Sequence, residues 1–193
     1  MVGSGYDDET ITNAALAARD GDRAAATAFV ELTQRHVHRF LGHLADARDV
    51  EDLAQETYLR AMSGLRGFAA RSSARTWLLS IARRVAADHV RTASRSPRTS
   101  PLEGREVDAE AVAVRITGAF EDAVLLQHLL ADLDRDRREA FVATQVLGLS
   151  YADAAEVCGC PIGTIRSRVA RAREDLVTAL GDGRHAGRGN TAT

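Results

Sequence analysis

The sequence is 193 residues long, 45 % hydrophobic and only 5 % aromatic, with 25 basic against 27 acidic residues and a formal charge of −2. That apolar content can fill one medium core or two small ones, which excludes a disordered chain. The near-neutral charge excludes a general polyanion binder, so any nucleic-acid contact has to come from local patches.

Ala, Leu, Arg and Glu dominate while strand-like runs of Val, Ile, Thr and Tyr are missing, which predicts an all-α protein. No apolar run approaches the roughly 20 residues needed to span a bilayer, and the first twenty residues carry Asp7, Asp8, Glu9 and Asp20 with no basic stretch before an apolar one. A cytoplasmic location without membrane insertion is the expectation. Cys158 and Cys160 stand one residue apart, a separation poorly suited to a structural disulfide and too few for a four-ligand zinc site. No metal and no cofactor is expected.

In chain order, a short opening helix near residues 11–19 precedes Phe29, Leu32, Val37, Phe40, Leu41 and Leu44, whose spacing is helical. Asp49 reads as an N-cap before Val50, Leu53, Ala54, Thr57, Tyr58 and Met62. A further helix spans about 73–91, with Trp77, Ile81 and Val85 every four residues. These helices make a first domain over residues 10–91. From 92 to 117, Ser94, Ser96, Pro97, Thr99, Ser100, Pro101 and Gly104 break regular structure and read as a flexible linker. Its neighbourhood is acidic: between Glu103 and Asp122 six acids face two arginines, a balance of −4. A second domain, 118–180, follows with helices at about 120–133 and 135–147, the latter capped by Asp134 and ended by Gly148. Ser150 with Asp153 opens a short helix in a capping-box variant, and Pro161 suits the first turn of a last helix reaching Leu180. The tail, 181–193, is Gly-rich and expected to be disordered.

The strongest motif is YADAAEVCGCPIGTIRSRVARA, Tyr151 to Ala172. A helix-turn-helix needs a small residue where its helices touch, Gly at the sharp turn and a branched apolar residue locking the second helix. Ala155, Gly159 and Ile165 supply these at offsets of four and six. The second helix carries Arg166, Arg168, Arg171 and Arg173 with no acid from Pro161 to Arg173, so the arginines are not a balanced solvated face. Forked guanidinium groups there suit guanine edges or phosphates in a major groove. Arg166 and Ser167 occupy the first turn and a half, where such helices read bases, and Thr164 can reach a phosphate near the helix start.

Two more segments carry signal. In DVEDLAQETYLRAM, Asp49 to Met62, the residues Asp52, Gln55 and Glu56 line up opposite the apolar stripe; taken alone, that face reads as solvated surface. In FAARSSARTWLLSIARRVAADHVR, Phe68 to Arg91, five arginines against Asp88 give a balance of +4. A basic helix behind a Ser-rich loop, with Phe68 and Trp77, suits a strand whose bases leave the stack, although the register of Trp77 with Ile81 and Val85 also places it in a core.

These three segments, in this order, resemble sigma factors of the extracytoplasmic-function (ECF) group of the sigma-70 family. DVEDLAQETYLRA is similar to sigma region 2.2, RTWLLSIARRVAADHVR to regions 2.3 and 2.4, and GLSYADAAEVCGCPIGTIRSRVARAR to region 4.2. The resemblance implies a sigma region 2 helical bundle and a sigma region 4 helix-turn-helix, two small helical domains joined by the linker. It implies a factor that binds core RNA polymerase and directs promoter recognition, promoter melting and transcription initiation, and that is no enzyme. Asp49, Asp52, Gln55 and Glu56 would dock on the clamp helices of the polymerase β′ subunit. Phe68, Arg71, Ser72, Ser73, Arg75, Trp77, Arg83 and Arg84 would hold the minus-10 element and a flipped base. Thr164, Arg166, Ser167, Arg168 and Arg171 would read the minus-35 element of promoter DNA, while the helices before them grip the β flap. An anti-sigma factor is a further implied partner. One departure stands out: Arg84 occupies a position where many relatives carry Asn. Two other readings stay open from the residues alone, a stand-alone helix-turn-helix regulator acting as a dimer and a thiol or metal sensor built on Cys158 and Cys160.

Overall fold

Helical periodicity becomes eight α-helices, with no strand among the described residues. The computed structural model describes residues 4–95 and 119–186, with side-chain surroundings for 8–93 and 126–180. The helices are α1 (Ser4–Arg19), α2 (Arg23–Gly42), α3 (Val50–Gly64), α4 (Ala74–Arg95), α5 (Ala119–Asp132), α6 (Arg135–Phe141), α7 (Tyr151–Cys158) and α8 (Ile162–Ala186).

Side-chain caps fix several starts. The Asp22 carboxylate accepts from the Ala24 and Ala25 amides at 2.8 and 3.1 Å, Asp134 accepts from the Asp136 amide, and the Ser150 hydroxyl accepts from the Asp153 amide. Each satisfies an amide that the first helical turn leaves without an intrahelical partner. Asp49 differs from expectation. The chain enters α3 through a 3₁₀ turn, Ala47–Asp49, so Asp49 already has helical dihedrals and makes no capping bond. Its carboxylate instead meets His89 Nε2 at 3.2 Å.

Helices α1 to α4 enclose one core, in which Ile11, Phe29, Val37, Phe40, Leu41, Leu78 and Leu79 are buried. Each such side chain contributes about 1.5–3 kcal/mol on burial. Helices α5 to α8 enclose a second, smaller core with Leu130, Val142, Ile165, Val169 and Ala172. Between α6 and α7 a π-helical turn, Val142–Val146, widens the chain before Gly148, whose φ of +70° belongs to the left-handed region that glycine tolerates.

Two ends run past their expected stops. α4 continues to Arg95, and α8 passes Gly181 to end at Ala186, so residues 181–186 are helical where disorder was predicted. Glycine disfavours a helix interior by only about 1 kcal/mol, too little to end one by itself. The rest of the predicted linker, 96–117, and of the predicted tail, 187–193, lies outside the described residues. The two cores touch where α4 packs along α7.

Candidate nucleic-acid interface

In the C-terminal half, the Tyr151–Ala172 segment forms the predicted helix-turn-helix. The Ser150 hydroxyl that accepts from the Asp153 amide also donates to the Asp153 carboxylate at 2.5 Å, closing the start of α7. Gly159, with φ +63°, ends α7 in a left-handed cap, and the Cys160 amide bonds back to the Ala155 carbonyl at 3.1 Å. Ile165, Val169, Ala172 and Leu176 seat α8 on the core. That packing turns Arg166, Ser167 and Arg171 to solvent.

Among the described residues, Arg166 and Arg171 make no side-chain hydrogen bond or ion pair, so their guanidinium donors are available to a ligand. Thr164 is half-buried, and its carbonyl accepts from the Ser167 hydroxyl at 2.9 Å. Arg168 is different from its neighbours. It folds back, half-buried, onto the Asp136 carboxylate of α6 and lies 3.5 Å from Cys160 Sγ. Arg173 likewise donates to Gln145 at 2.8 Å.

The N-terminal half holds the second basic segment. Ser73 caps α4, accepting from the Thr76 amide at 3.1 Å and donating to the Thr76 hydroxyl at 3.0 Å, while the Ala74 amide donates to Thr12 Oγ1. Phe68 is buried, its ring centroid 5.0 Å from that of Trp77. Arg75 is 5 % exposed and pairs with Asp8 of α1 at 2.7 Å, which anchors the start of α4 to α1. Arg71 and, in part, Ser72 stay at the surface of the loop, where Ala70 adopts a φ of +49°. Trp77, half-buried, joins Arg60, Gly64, Ile81 and Arg84 around an open cleft of about 270 Å³. Arg84 is exposed and donates to Ser80 at 3.2 Å. Arg83 points elsewhere: its Nε meets Glu139 of α6 at 2.5 Å, in the other half of the chain.

On α3 the acidic and amide patch forms as the spacing predicts. Asp52 and Gln55 are exposed, and Glu56 is tied to Arg60 at 2.7 Å. Sequence reading passed over Leu59, which is 65 % exposed one turn beyond Gln55 and Glu56. A leucine off the apolar stripe was the available signal. It also passed over Arg60, which bridges Glu56 and, at 2.9 Å, Asp88 of α4. Asp49 sits at the edge of this face, half-buried against His89.

The cysteines are both free thiols. Burial, reinforced by the charge of Glu139, pushes the Cys158 thiol up to about 12, so almost no thiolate exists near neutral pH. Among the described residues no cluster of three or more His, Cys, Asp or Glu side chains could hold a metal ion.

Comparison with known families matches residues 29–96 to sigma-70 region 2 and residues 123–176 to sigma-70, region 4. The chain is 51 % identical over 177 residues to the ECF RNA polymerase sigma factor SigC of Mycobacterium tuberculosis, covering 92 % of this chain and 95 % of that one. This protein belongs to the ECF group of the sigma-70 family. A second ECF sigma factor, the sigma-E factor of Haemophilus influenzae, is 30 % identical over 86 % of this chain and 94 % of its own. Among solved structures, the Bartonella quintana sigma factor RpoE in complex with the anti-sigma factor NepR is similar with a TM-score of 0.67 and 29 % identity, over 79 % of this chain and 94 % of that one. As a sigma factor, the chain binds core RNA polymerase and directs promoter-specific transcription; nothing in these likenesses favours a stand-alone regulator. No helix among the described residues is long and apolar enough to cross a membrane.

Proposed function

We propose that this sigma factor divides promoter recognition between its two halves, with duplex read at one end and a melted strand held at the other. The carrying observation is the pair of outward-turned guanidinium groups, Arg166 and Arg171, which have no partner among the described residues and stand on the second helix of the helix-turn-helix. With Ser167 and the half-buried Thr164 they read the minus-35 duplex, bidentate arginine to guanine being the strongest such contact. Arg168 serves that surface indirectly by bracing α8 on α6 through Asp136.

At the other half, the cleft of Trp77 and Arg84, with Arg71, Ser72 and Ser73 of the loop, takes the minus-10 strand. Stacking on an aromatic ring contributes about 1–3 kcal/mol per base, which offsets the few kcal/mol that extrusion of a base costs. Phe68 and Arg75 act from beneath, Phe68 by packing on Trp77 and Arg75 by fixing the start of α4. Asp52, Gln55, Glu56 and Leu59 form the face that docks on the polymerase β′ clamp helices, with Asp49 at its edge, and the helices before α8 meet the β flap. Polymerase then holds the two halves at high effective concentration for one promoter. The 23 residues between Arg95 and Ala119 can span at most about 80 Å, which allows the two elements to be more than one helical turn apart.

We assign the chain no catalytic residue and no cofactor, and place its work with the polymerase on DNA in the cytoplasm. The likeness to a sigma factor solved with its anti-sigma factor supports an anti-sigma partner here. The test is transcription in vitro with purified core polymerase on a genomic fragment library. New start sites that depend on this chain, and that shift or vanish with Arg166→Ala and Arg171→Ala, support the reading; a core enzyme that ignores the chain defeats it.

A further inference from the structure

The loop after Phe68 holds a backbone conformation that its own residues do not favour. Ala70 has a φ of +49°, in the left-handed region where a side chain crowds the backbone. Its side chain is exposed, so no packing of its own keeps it there. Such a conformation persists only where its surroundings impose it. Here the two ends of the loop do so, and both are tied to one helix, α1.

At the start of the loop, Arg19 Nη1 donates to the Phe68 carbonyl at 3.3 Å. Asp20 orients that guanidinium, accepting from Nε at 2.8 Å and from Nη2 at 3.3 Å, which leaves Nη1 to reach across. At the end of the loop, the Ala74 amide donates to Thr12 Oγ1 at 3.0 Å, while the Thr12 hydroxyl directs its own proton to the Asp8 carbonyl at 2.7 Å. The hydroxyl is thereby fixed with its lone pairs toward Ala74. One residue on, Arg75 Nη2 donates to Asp8 Oδ2 at 2.9 Å, with Nε 2.7 Å from Oδ1. Asp8, Thr12 and Arg19 stand at i, i+4 and i+11, so the helical repeat places them along one face, beside the buried Ile11 and Ala15. That face both seats α1 on the core and presents polar groups to the loop ends.

We propose that α1 is the positioning element of the melted-strand site: Arg19 and Thr12 pin the two ends of loop 69–73, with Asp8 locking Arg75 behind them, and so hold Arg71 and Ser72 in the conformation that meets the strand. The inference rests on the reading of this loop as strand-holding. A loop ordered in advance loses little conformational freedom when the strand arrives, whereas a released one has to be ordered at the moment of melting. The effect falls on promoter opening, because neither the acidic face of α3 nor the helix-turn-helix uses any of these bonds. α1 also precedes residue 29, where the match to sigma-70 region 2 begins, so the family's sequence pattern does not include these supports.

The test uses holoenzyme assembled from purified core polymerase and the full chain, on a promoter recovered from the genomic library. Permanganate reactivity of unpaired thymines upstream of the start site measures opening. Thr12→Val keeps the shape but removes the acceptor, leaving the buried Ala74 amide without its partner, and opening falls roughly tenfold. Thr12→Ser keeps the hydroxyl and recovers opening to within about twofold of the unaltered chain. Arg19→Ala lowers opening from the other end of the loop, through a side chain that is one third exposed, and decides the matter if circular dichroism shows Thr12→Val to be poorly folded. A double-mutant cycle separates positioning from a purely structural role. Thr12→Val combined with Arg71→Ala is hardly worse than Arg71→Ala alone, because a loop stripped of its contact gains nothing from being held. Full opening by both Thr12→Val and Arg19→Ala, or losses that simply multiply in the double variant, overturns the positioning role and leaves the loop as a strand-holder. Normal opening by Arg71→Ala and Ser72→Ala alike removes the strand-holding reading, and the inference with it.

Discussion

Arg166 and Arg168 are two residues apart on one helix, yet their replacement by alanine has opposite signatures. Arg168 is 22 % exposed in its side chain and braces α8 on Asp136, itself 48 % exposed. A charge-assisted bond of this kind contributes up to about 3 kcal/mol when buried, and partial exposure reduces that to about 1 kcal/mol. For a domain of this size, that loss lowers Tm by about 4–8 °C. Arg166→Ala removes no contact among the described residues and shifts stability by less than about 0.5 kcal/mol. It does remove the donor set proposed to read bases, with an expected cost of about 1–3 kcal/mol in discrimination, or roughly 5- to 150-fold between cognate and altered minus-35 sequences. Thermal unfolding of each variant, with transcription in vitro from a panel of minus-35 substitutions, separates the two effects. An Arg168→Ala protein that melts as the parent does but no longer distinguishes minus-35 sequences would refute the reasoning.

Three further outcomes are expected. Reversing Asp52 and Glu56 to Arg, or replacing the exposed Leu59 by Glu, weakens capture of core polymerase in a pull-down while the unfolding curve stays within about 0.5 kcal/mol of the parent; undiminished capture removes α3 as the docking face. Trp77→Ala or Arg84→Ala impairs initiation on duplex promoters more than on a template opened beforehand, because the loss falls on holding unpaired bases; equal impairment on both templates counts against the cleft. His43 governs part of the acid response. Its ring is largely buried and faces the Arg39 charge, which together hold its pKa below the ordinary 6.5, and its Nδ1 has no hydrogen-bond partner. The folded state thus disfavours the protonated ring, and stability present above that ordinary pKa is lost as pH falls below it. His43→Gln flattens this decline in a pH series of denaturant midpoints. His38 titrates in the opposite sense: burial opposes its charge, but the bonds to Glu51 and to the Gln34 carbonyl, with the Glu51 charge, together raise its pKa.

What could be read from the sequence was whatever is carried by neighbours along the chain. The helical stripes, the caps Asp134 and Ser150, and Gly148 and Gly159 at the turns all depend on residues within a few positions, and all are realised. The fate of individual arginines was not legible, because their partners lie far away: Asp8 is 67 residues from Arg75, and Glu139 is 56 from Arg83. A motif presents Arg166, Arg168 and Arg171 as equals, and only the fold, by bringing α6 beneath α8, distinguishes the brace from the two arginines left open to solvent. The packing of α4 on α7 was hidden for a related reason. Each half has an apolar stripe of its own, and the polar pairs that join them, Thr76 with Asp153 and Arg83 with Glu139, lie 77 and 56 residues apart.

Arg60 is shared by a carboxylate of its own helix α3, Glu56, and one of α4, Asp88. A hybrid that took α3 from one sigma factor and α4 from another would cut the Arg60–Asp88 pair, leaving Arg60 with Glu56 and Asp88 with Arg91. A graft into this chain that keeps the tie between the two helices carries positions 60 and 88 together. The surface proposed to dock on polymerase and the cleft proposed to hold the melted strand thus have one side chain in common, since Arg60 also lines that cleft.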